Sequence, residues 1–218
     1  MDCSRIDAGV EVMLDPDAPA WSRVPAETVP LGPTPLANQP SEYVKASRDE
    51  RSVGKVKSLE VRAAHDDRMV FIRLAWQDPE RNVEITDNDV FPDGCGVLMP
   101  IGAGDTPIDE MGSKDVPVNA WFWRADRGDR ATNVHAAGLG STQYSEKSYI
   151  QARGAWRDGT WTVVFARPFA VHKQKTEAVQ LAVGGTVRVG FAVWEGANGE
   201  RGGLKAFSKE WRNLVLQA

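Results

Sequence analysis

Apolar and polar residues alternate along much of the chain, which is the pattern of β-strands with one buried face. The clearest alternation runs from Lys55 to Ala64 and from Met69 to Trp76, on either side of a short polar turn. A similar pair runs from Tyr149 to Trp156 and from Thr160 to Arg167, joined by Arg157-Asp158-Gly159. The pattern therefore predicts two antiparallel hairpins.

Single strands are expected before, between and after these hairpins. Helix is expected only over Ser41 to Ser52 and over Lys173 to Leu181. The chain is therefore predicted to be all-β, an antiparallel β-sandwich of about nine or ten strands with one or two short helices. The predicted single strands are Gly9 to Leu14, Gly94 to Ile101, Pro117 to Arg124, Thr186 to Glu195 and about Lys209 to Leu216.

The length and composition suit one large domain. With 218 residues and 42% hydrophobic content, we expect a single domain over residues 1–218. Within residues 1–52, the proline-rich stretch from Trp21 to Pro40 is expected to be extended. Because Trp21 and Leu36 are large and apolar, this segment should wrap over the domain and bury them.

Charge and hydropathy exclude two classes of partner. The net charge is -4 and the Lys and Arg residues are scattered, whereas a nucleic-acid groove or an anionic membrane surface calls for a concentrated basic patch. No apolar run approaches the roughly 20 residues that span a bilayer. Met1 to Val10 also lacks the layout of a secretory signal. We expect no nucleic-acid partner and no membrane insertion.

The stretch from Asp109 to Asp126 carries candidate chemistry. Met111 is followed by the flexible Gly112, and the strand after it places Trp121 and Trp123 on one face. A thioether is a good axial ligand for haem iron, so this stretch could supply both a ligand and an aromatic wall. The alternative is that Met111 fills a gap in the core and that both tryptophans belong to the core of the sandwich.

A second candidate residue follows the most apolar strand. A glycine-rich loop, Gly196 to Gly203, leads to Lys205, which has Leu204 and Phe207 as apolar neighbours. A lysine in such a context usually keeps its ammonium in water while its stem covers apolar surface. To bind a metal, Lys205 would have to lose its proton.

The cysteines limit how a haem would be held. Cys3 and Cys95 are too few for a metal site and show no Cys-x-x-Cys-His motif for covalent attachment. A haem would therefore be non-covalent, of b type. Whether the two cysteines pair, and which redox compartment the chain occupies, stay open.

These stretches, with two more near the N-terminus, resemble the haem b subunit of the ethylbenzene dehydrogenase family. This is the gamma subunit of type II dimethyl sulfoxide reductase enzymes, which include ethylbenzene, steroid side-chain and dimethyl sulfide dehydrogenases and chlorate and selenate reductases. The likeness covers nearly the whole chain. It is carried by Asp15 to Trp21, Pro33 to Leu36, Met111-Gly112, Pro117 to Ala125 and Phe191 to Gly203.

The resemblance implies a β-sandwich that holds one haem b between a methionine and a lysine. Carried over to this chain, the axial ligands are Met111 and Lys205. Met99 is the competing methionine, because its segment is also similar to the family's, but packing in a strand explains it. Lys209 is the fallback lysine. Arg124 is a candidate partner of the haem propionates.

A bis-histidine site is not expected in this chain. His65 falls in a hairpin turn, and neither His135 nor His172 has a ligand-like residue nearby. With both axial positions filled by protein, no open site remains for substrate. The chain is therefore expected to carry electrons and not to catalyse.

The resemblance also implies partners. They are an alpha subunit with a molybdenum bis-pterin cofactor, an iron–sulfur beta subunit and a soluble cytochrome acceptor. The complex would be a heterotrimer in the periplasm, exported on a partner's signal. It would hydroxylate a hydrocarbon or a steroid side chain anaerobically.

Two other readings are compatible with the strand pattern. A haem-free β-sandwich that binds carbohydrate or protein would show the same strands and tryptophans. A stand-alone b-type cytochrome would keep the haem and lack molybdenum partners. The absorption spectrum distinguishes a haem protein from the haem-free module. Co-purification of a large molybdenum subunit distinguishes a subunit of a complex from a stand-alone cytochrome.

Overall fold

The computed structural model describes residues 1–39, 41–49, 52–86, 89–145, 148–171 and 177–218. Within them the chain forms fourteen strands and two short α-helices. The elements are β1 (Asp2–Arg5), α1 (Val10–Leu14), β2 (Glu27–Pro30), β3 (Gly32–Pro33), α2 (Glu42–Ser47), β4 (Ser58–His65), β5 (Met69–Gln77), β6 (Gly94–Pro100), β7 (Val118–Arg124), β8 (Ala131–Ala136), β9 (Gln143–Tyr144), β10 (Gln151–Arg157), β11 (Thr160–Pro168), β12 (Thr186–Trp194), β13 (Ala206–Phe207) and β14 (Arg212–Leu216).

The strands form one hydrogen-bonded path in the order β10-β11-β5-β4-β1-β14-β12-β6-β7-β8-β9. The start of β12 pairs with β14 and its end pairs with β6, so β12 belongs to both halves of the path. The prediction of an all-β fold is confirmed. The sheet is mixed, because β1 lies parallel to both β4 and β14, whereas every other pairing is antiparallel among the described residues.

The two halves of the sheet face each other across one core. Trp123 of β7 contacts Trp161 of β11 edge to face, with ring centroids 5.2 Å apart. Trp121 of β7 meets Phe165 of β11 at 6.3 Å. Strands that are distant in the hydrogen-bonded order therefore touch through their side chains, as the layers of a sandwich do.

Both predicted hairpins are present. Strands β4 and β5 pair antiparallel, and so do β10 and β11. The tight turns need left-handed backbone, which Asp67 supplies in the first hairpin at φ 68° and Asp158 with Gly159 supply in the second at φ 47° and 76°. Strands β6, β7, β12 and β14 also lie where the pattern predicts them.

The prediction of a strand over Gly9 to Leu14 is wrong. Residues Val10–Leu14 form α1, because helical spacing lets Met13 and Leu14 be buried together. The predicted turn of helix near Ser41 is confirmed as α2, whose N-cap hydroxyl accepts the N–H of Val44. The helix predicted over Lys173 to Leu181 falls partly outside the described residues, and 177–181 are not helical.

The strands that the pattern missed are mostly short. Strand β9 has two residues and β1 has four, too few to show an alternation. Their extended shape comes from neighbouring strands, which satisfy their backbone groups. No helix among the described residues is long and apolar enough to cross a membrane.

The N-terminal segment covers the outer face of one half of the sandwich. Trp21 is 3% exposed, and its Nε1 donates to the carbonyl of Met13 at 3.1 Å. A second apolar cluster joins this segment to the strands below it. It contains Ile6, Met13, Leu14, Ala18, Ala20, Trp21 and Val24 from the segment and Ala64, Phe71, Val164 and Ala166 from β4, β5 and β11.

Candidate functional site

A cavity of about 550 Å³ lies on the outer face of the other half of the sandwich. Its floor is formed by alternate residues of β6, β7 and β12, whose neighbours in sequence point into the core. The floor residues are Gly94 and Gly96 of β6, Ala120 and Phe122 of β7, and Ala192 and Trp194 of β12.

Small residues keep this floor low. A Cβ atom added at Gly96 would lie 3.0 Å from the carbonyl oxygen of Trp121 and 3.7 Å from the Trp194 ring. Phe122 and Trp194 meet edge to face at 5.1 Å and form the aromatic part of the wall. The result is a broad apolar slot that can accept a flat ligand.

Met111 lines this cavity. It follows a single turn, Ile108–Glu110, and has a left-handed backbone with φ 58° and ψ 38°. This conformation is uncommon for a residue with a long side chain and is found preferentially at functional positions. The backbone is held by Gly138, whose N–H donates to the Met111 carbonyl at 3.2 Å.

Met99, the competing methionine, lies on the other side of β6. It is fully buried and belongs to the sandwich core, packed among the apolar side chains of both layers. Because successive residues of a strand point to opposite faces, Met99 and the glycine floor are separated by the sheet. Of these two methionines, Met111 is the one that reaches the cavity.

Lys205 lines the same cavity. Its Nζ lies 5.6 Å from the centroid of the Trp194 ring, and among the described residues it has no hydrogen-bond or ion-pair partner. Burial lowers the pKa of Lys205 from 10.5 to about 8. The backbone is fixed by Thr34, whose N–H and hydroxyl both donate to the Lys205 carbonyl at 3.0 Å.

Lys209, the fallback lysine, does not line the cavity. It is exposed, and its aliphatic stem lies over Gly32. Lys205 is therefore the lysine that shares a cavity with Met111. The two residues come from separate loops, one before β7 and one before β13.

Trp121 and Trp123 are both buried in the sandwich core, and Trp123 does not line the cavity. Trp121 contributes to the cavity wall, but its side chain is fully shielded from solvent, and the Arg167 guanidinium lies 5.1 Å from its ring. Trp123 is 2% exposed and donates from Nε1 to the Gly128 carbonyl at 2.7 Å. Strand alternation identifies Phe122 as the aromatic residue of β7 that faces the cavity.

Arginines stand at the rim. Arg124 lines the cavity and is held by Asp126 through two hydrogen bonds of 2.6 Å. That carboxylate raises the pKa of Arg124, so the guanidinium is cationic at all working pH values. Arg127 and Arg201 also line the cavity, and Arg201 lies 4.1 Å over the Phe91 ring. The rim therefore offers cations to a negatively charged ligand group.

Four buried carboxyl groups lie in or near the loop that carries Lys205, those of Asp78, Asp93, Glu195 and Glu200. Burial, with the negative charge of Asp93, raises the pKa of Asp78 to about 7. Burial also raises the pKa of Asp93 and of Glu195. Asp93 accepts hydrogen bonds from the N–H groups of Asn82 and Gly196 and so joins two loops at the end of the sandwich.

The other candidate ligands lie elsewhere. His65 is buried, with Nε2 2.8 Å from the Gln217 carbonyl, and neither it nor His135 lines the cavity. His172 lies outside the described residues. Cys3 and Cys95 are both buried free thiols, and burial raises their pKa values. The described part of the chain has no cluster of His, Cys, Asp and Glu that could hold a metal ion.

The donor set fits a haem better than a bare metal ion. A thioether and a desolvated amine are soft or neutral ligands that suit low-spin iron, and both reach an apolar slot with aromatic walls. The arginines at the rim match the propionates that a haem carries. These residues could hold a haem between Met111 and Lys205, with no further ligand needed.

Comparison with known proteins shows a family. A family model described as ethylbenzene dehydrogenase matches residues 18–149 and 137–206. A protein of Haloferax mediterranei, named as a respiratory nitrate reductase heme subunit, is 33% identical and covers 90% of this chain, which spans 66% of that relative. The gamma subunit of chlorate reductase from Ideonella dechloratans is 31% identical over 91% of this chain and 78% of its own length. The gamma subunit of dimethylsulfide dehydrogenase from Rhodovulum sulfidophilum is 31% identical over 90% of this chain and 73% of its own length.

Solved structures share the architecture. A Bacteroides uniformis protein described as carbohydrate-binding has a TM-score of 0.60 at 11% identity and covers 99% of this chain and 97% of its own. A family 9 carbohydrate binding module from Caldicellulosiruptor kristjanssonii, solved with glucose, has a TM-score of 0.54 at 8% identity. The match covers 100% of this chain and 95% of the module. Identities this low show a common fold and nothing about the ligand.

Proposed function

Because the chain belongs to the ethylbenzene dehydrogenase family, we propose that it is the electron-transfer subunit of an oxidoreductase complex and binds one haem b non-covalently. Met111 and Lys205 would ligate its iron. The observation that carries this proposal is that both residues, from separate loops, line a single apolar cavity. The Haloferax relative, named as a heme subunit, supports the choice of cofactor.

A bound haem supplies reversible one-electron chemistry. The thioether of Met111 favours the reduced iron and so raises the potential. Lys205 binds iron only as the neutral amine, and the low pKa that burial gives it reduces the cost of losing the proton. Phe122 and Trp194 would give the bound haem an apolar wall. With Met111 and Lys205 both bound to the iron, no coordination position would remain for substrate.

The partners follow from the family. We propose an alpha subunit with a molybdenum bis-pterin cofactor, an iron–sulfur beta subunit and a soluble cytochrome acceptor, assembled in the periplasm. For the complex we propose oxidation of a hydrocarbon or a steroid side chain, supported by the description of the family alone. Co-purification with the large subunit tests the proposed partners. Identification of the substrate that this subunit oxidises tests the proposed reaction.

The axial ligands can be tested by absorption spectroscopy. The wild-type haem should be six-coordinate and low-spin, Lys205→Ala should be high-spin, and Met111→Ala should lower the midpoint potential. Matched controls are Lys209→Ala and Met99→Leu, which should leave spectrum and potential nearly unchanged, since neither side chain reaches the cavity.

Two results would contradict the proposal. A colourless protein that takes up no haem would exclude haem binding and return the chain to the carbohydrate- or protein-binding reading. If Lys205→Ala keeps a low-spin spectrum and Lys209→Ala loses it, then Lys209 is the ligand and Lys205 is not. The fold shared with carbohydrate-binding proteins does not by itself support a second function, because the identities are 11% and 8%.

A further inference from the structure

We propose that Glu200 is a positioning residue that holds Lys205 at the cavity. Glu200 lies in the loop between β12 and β13, five positions before the lysine, and it is 1% exposed. This inference rests on the proposed function, because its effect is exerted through the lysine that binds iron. Glu200 itself makes no bond to the haem in this proposal.

The carboxylate of Glu200 joins the lysine loop to a distant segment. Its Oε1 accepts the backbone N–H of Gly54 at 2.8 Å and of Lys55 at 3.0 Å. The same oxygen accepts from the Asn198 side-chain amide at 2.9 Å. Its Oε2 accepts the N–H of Glu195 at 3.1 Å. Hydrogen bonds to an ionised acceptor are stronger than those between neutral groups, so one side chain closes the loop on itself and ties it down.

The segment that Glu200 grips is itself connected to Lys205. Gly54 packs so closely on Pro33 of β3 that a Cβ atom at Gly54 would lie 2.6 Å from the Pro33 Cα. Strand β3 pairs with β13, and the next residue, Thr34, binds the carbonyl of Lys205. The lysine is therefore held from two sides, by Thr34 at its own backbone and by Glu200 in the middle of its loop.

This arrangement has a mechanical consequence. Glycines at 196, 199, 202 and 203 make the loop flexible, so without an anchor the lysine would sample positions away from the iron. A ligand's apparent affinity falls with the fraction of time that it spends in the binding conformation. Removing the carboxylate should make the bond from Lys205 to iron more labile, although the lysine itself is unchanged.

The test is the rate at which carbon monoxide binds ferrous haem in the purified protein, at a fixed pH. Carbon monoxide needs a vacated position on the iron, and because a thioether binds ferrous iron better than an amine does, the rate reports how often Lys205 dissociates. Glu200→Ala should bind carbon monoxide about tenfold faster than wild type, and Glu200→Gln should be intermediate. The matched control is Glu195→Gln, because Glu195 is also buried in this loop but its carboxylate accepts no hydrogen bond from the described residues.

Lys205→Ala is measured alongside, and it separates the two proposals. If Lys205→Ala accelerates carbon monoxide binding while both Glu200 variants match wild type, the positioning role is wrong and the ligand assignment stands. If Glu195→Gln accelerates binding as much as the Glu200 variants do, the positioning role is also wrong, since the loss of either buried carboxylate in the loop would then have the same effect. If Lys205→Ala has the wild-type rate, the ligand assignment itself fails. Should Glu200→Ala not fold, Glu200→Gln decides.

Discussion

The two outer faces of this sandwich differ in what covers them. The face of β4, β5 and β11 is covered by the chain itself, because α1 and the turn Pro19–Arg23 pack against it. The face of β6, β7 and β12 is left open over the cavity that Met111 and Lys205 share. One face thus contributes to stability, and the other carries the cavity in which we propose that the haem binds.

The side chains on the two faces explain this difference. The covered face carries Phe71 and Val164, large apolar residues that need a partner and find it in the N-terminal segment. The open face carries Gly96, Ala120 and Ala192, which leave a depression. A covering segment would bury little apolar area on such a floor, whereas a large planar ligand can fill it.

Cationic side chains on the two faces also differ in their hydrogen-bond partners. On the covered face, Arg62 donates to the carbonyls of Trp21 and Val24 at 3.0 and 2.7 Å, and Arg73 donates to the carbonyl of Pro16 at 3.1 Å. On the open face, the Lys205 Nζ lies 5.6 Å from the centroid of the Trp194 ring and has no hydrogen-bonding partner among the described residues. A desolvated amine without a partner is unfavourable for folding, which supports the proposal that Lys205 is kept for binding.

Removing the cover should have the largest effect on stability. Trp21→Ala deletes a residue that is 3% exposed and its hydrogen bond to Met13, so we expect a loss of about 3–5 kcal/mol in the free energy of unfolding. Urea denaturation measures it. Val12→Ala, at a neighbouring position that is 49% exposed, should change stability by about 0.5 kcal/mol or less. A loss of haem with unchanged stability in Trp21→Ala would contradict the division between the faces.

Filling the cavity on the open face should weaken haem binding. Gly96→Val raises the floor beneath Trp194, and we expect haem affinity to fall by at least about tenfold, with a smaller change in stability than in Trp21→Ala. Haem titration of the apo protein measures the affinity. Gly9→Val adds the same side chain where a Cβ has nothing within 4 Å, so it should bind haem as wild type does. Unchanged affinity in Gly96→Val would remove this cavity as the haem site.

The smallest expected effect concerns the pH dependence of the apo protein. Burial lowers the pKa of Lys205 to about 8, so the folded state binds this proton less tightly than the unfolded chain. Lys205 therefore opposes folding at pH 7, and this penalty is lost as the pH rises from about 8 to 10.5. Lys205→Met should stabilise the apo protein at pH 7 by on the order of 1–3 kcal/mol and by much less at pH 10.

Thermal or urea unfolding at the two pH values gives this difference. The matched control is Lys209→Met, at an exposed position outside the cavity, which should shift stability equally at pH 7 and pH 10. If Lys205→Met also shifts it equally, the lysine is solvated in the folded protein and the contrast in charge between the two faces does not hold.

Several features could be read from the sequence because they depend on neighbours along the chain. Alternation predicted the hairpins β4–β5 and β10–β11, and their Asp and Gly turn residues agree with the backbone angles found. The family followed from motifs spread over nearly the whole chain, and the matched residues 18–206 bear that out. Met111 and Lys205 were chosen from those motifs, and the structure brings both to one cavity.

Other features depend on residues far apart in sequence, and only the tertiary structure decided them. Alternation shows that Trp121 and Phe122 point to opposite sides of β7, but not which side is the core, because both are large and aromatic. The packing of β7 on β11 assigns Trp121 to the core. Likewise Glu200 has no local signal, since its partners Gly54 and Lys55 lie about 145 positions away in sequence. The sequence thus determined most of the strands and pointed to the proposed donor residues, while the folding of one layer onto the other determined which face carries the cavity and which groups hold the loop of Lys205.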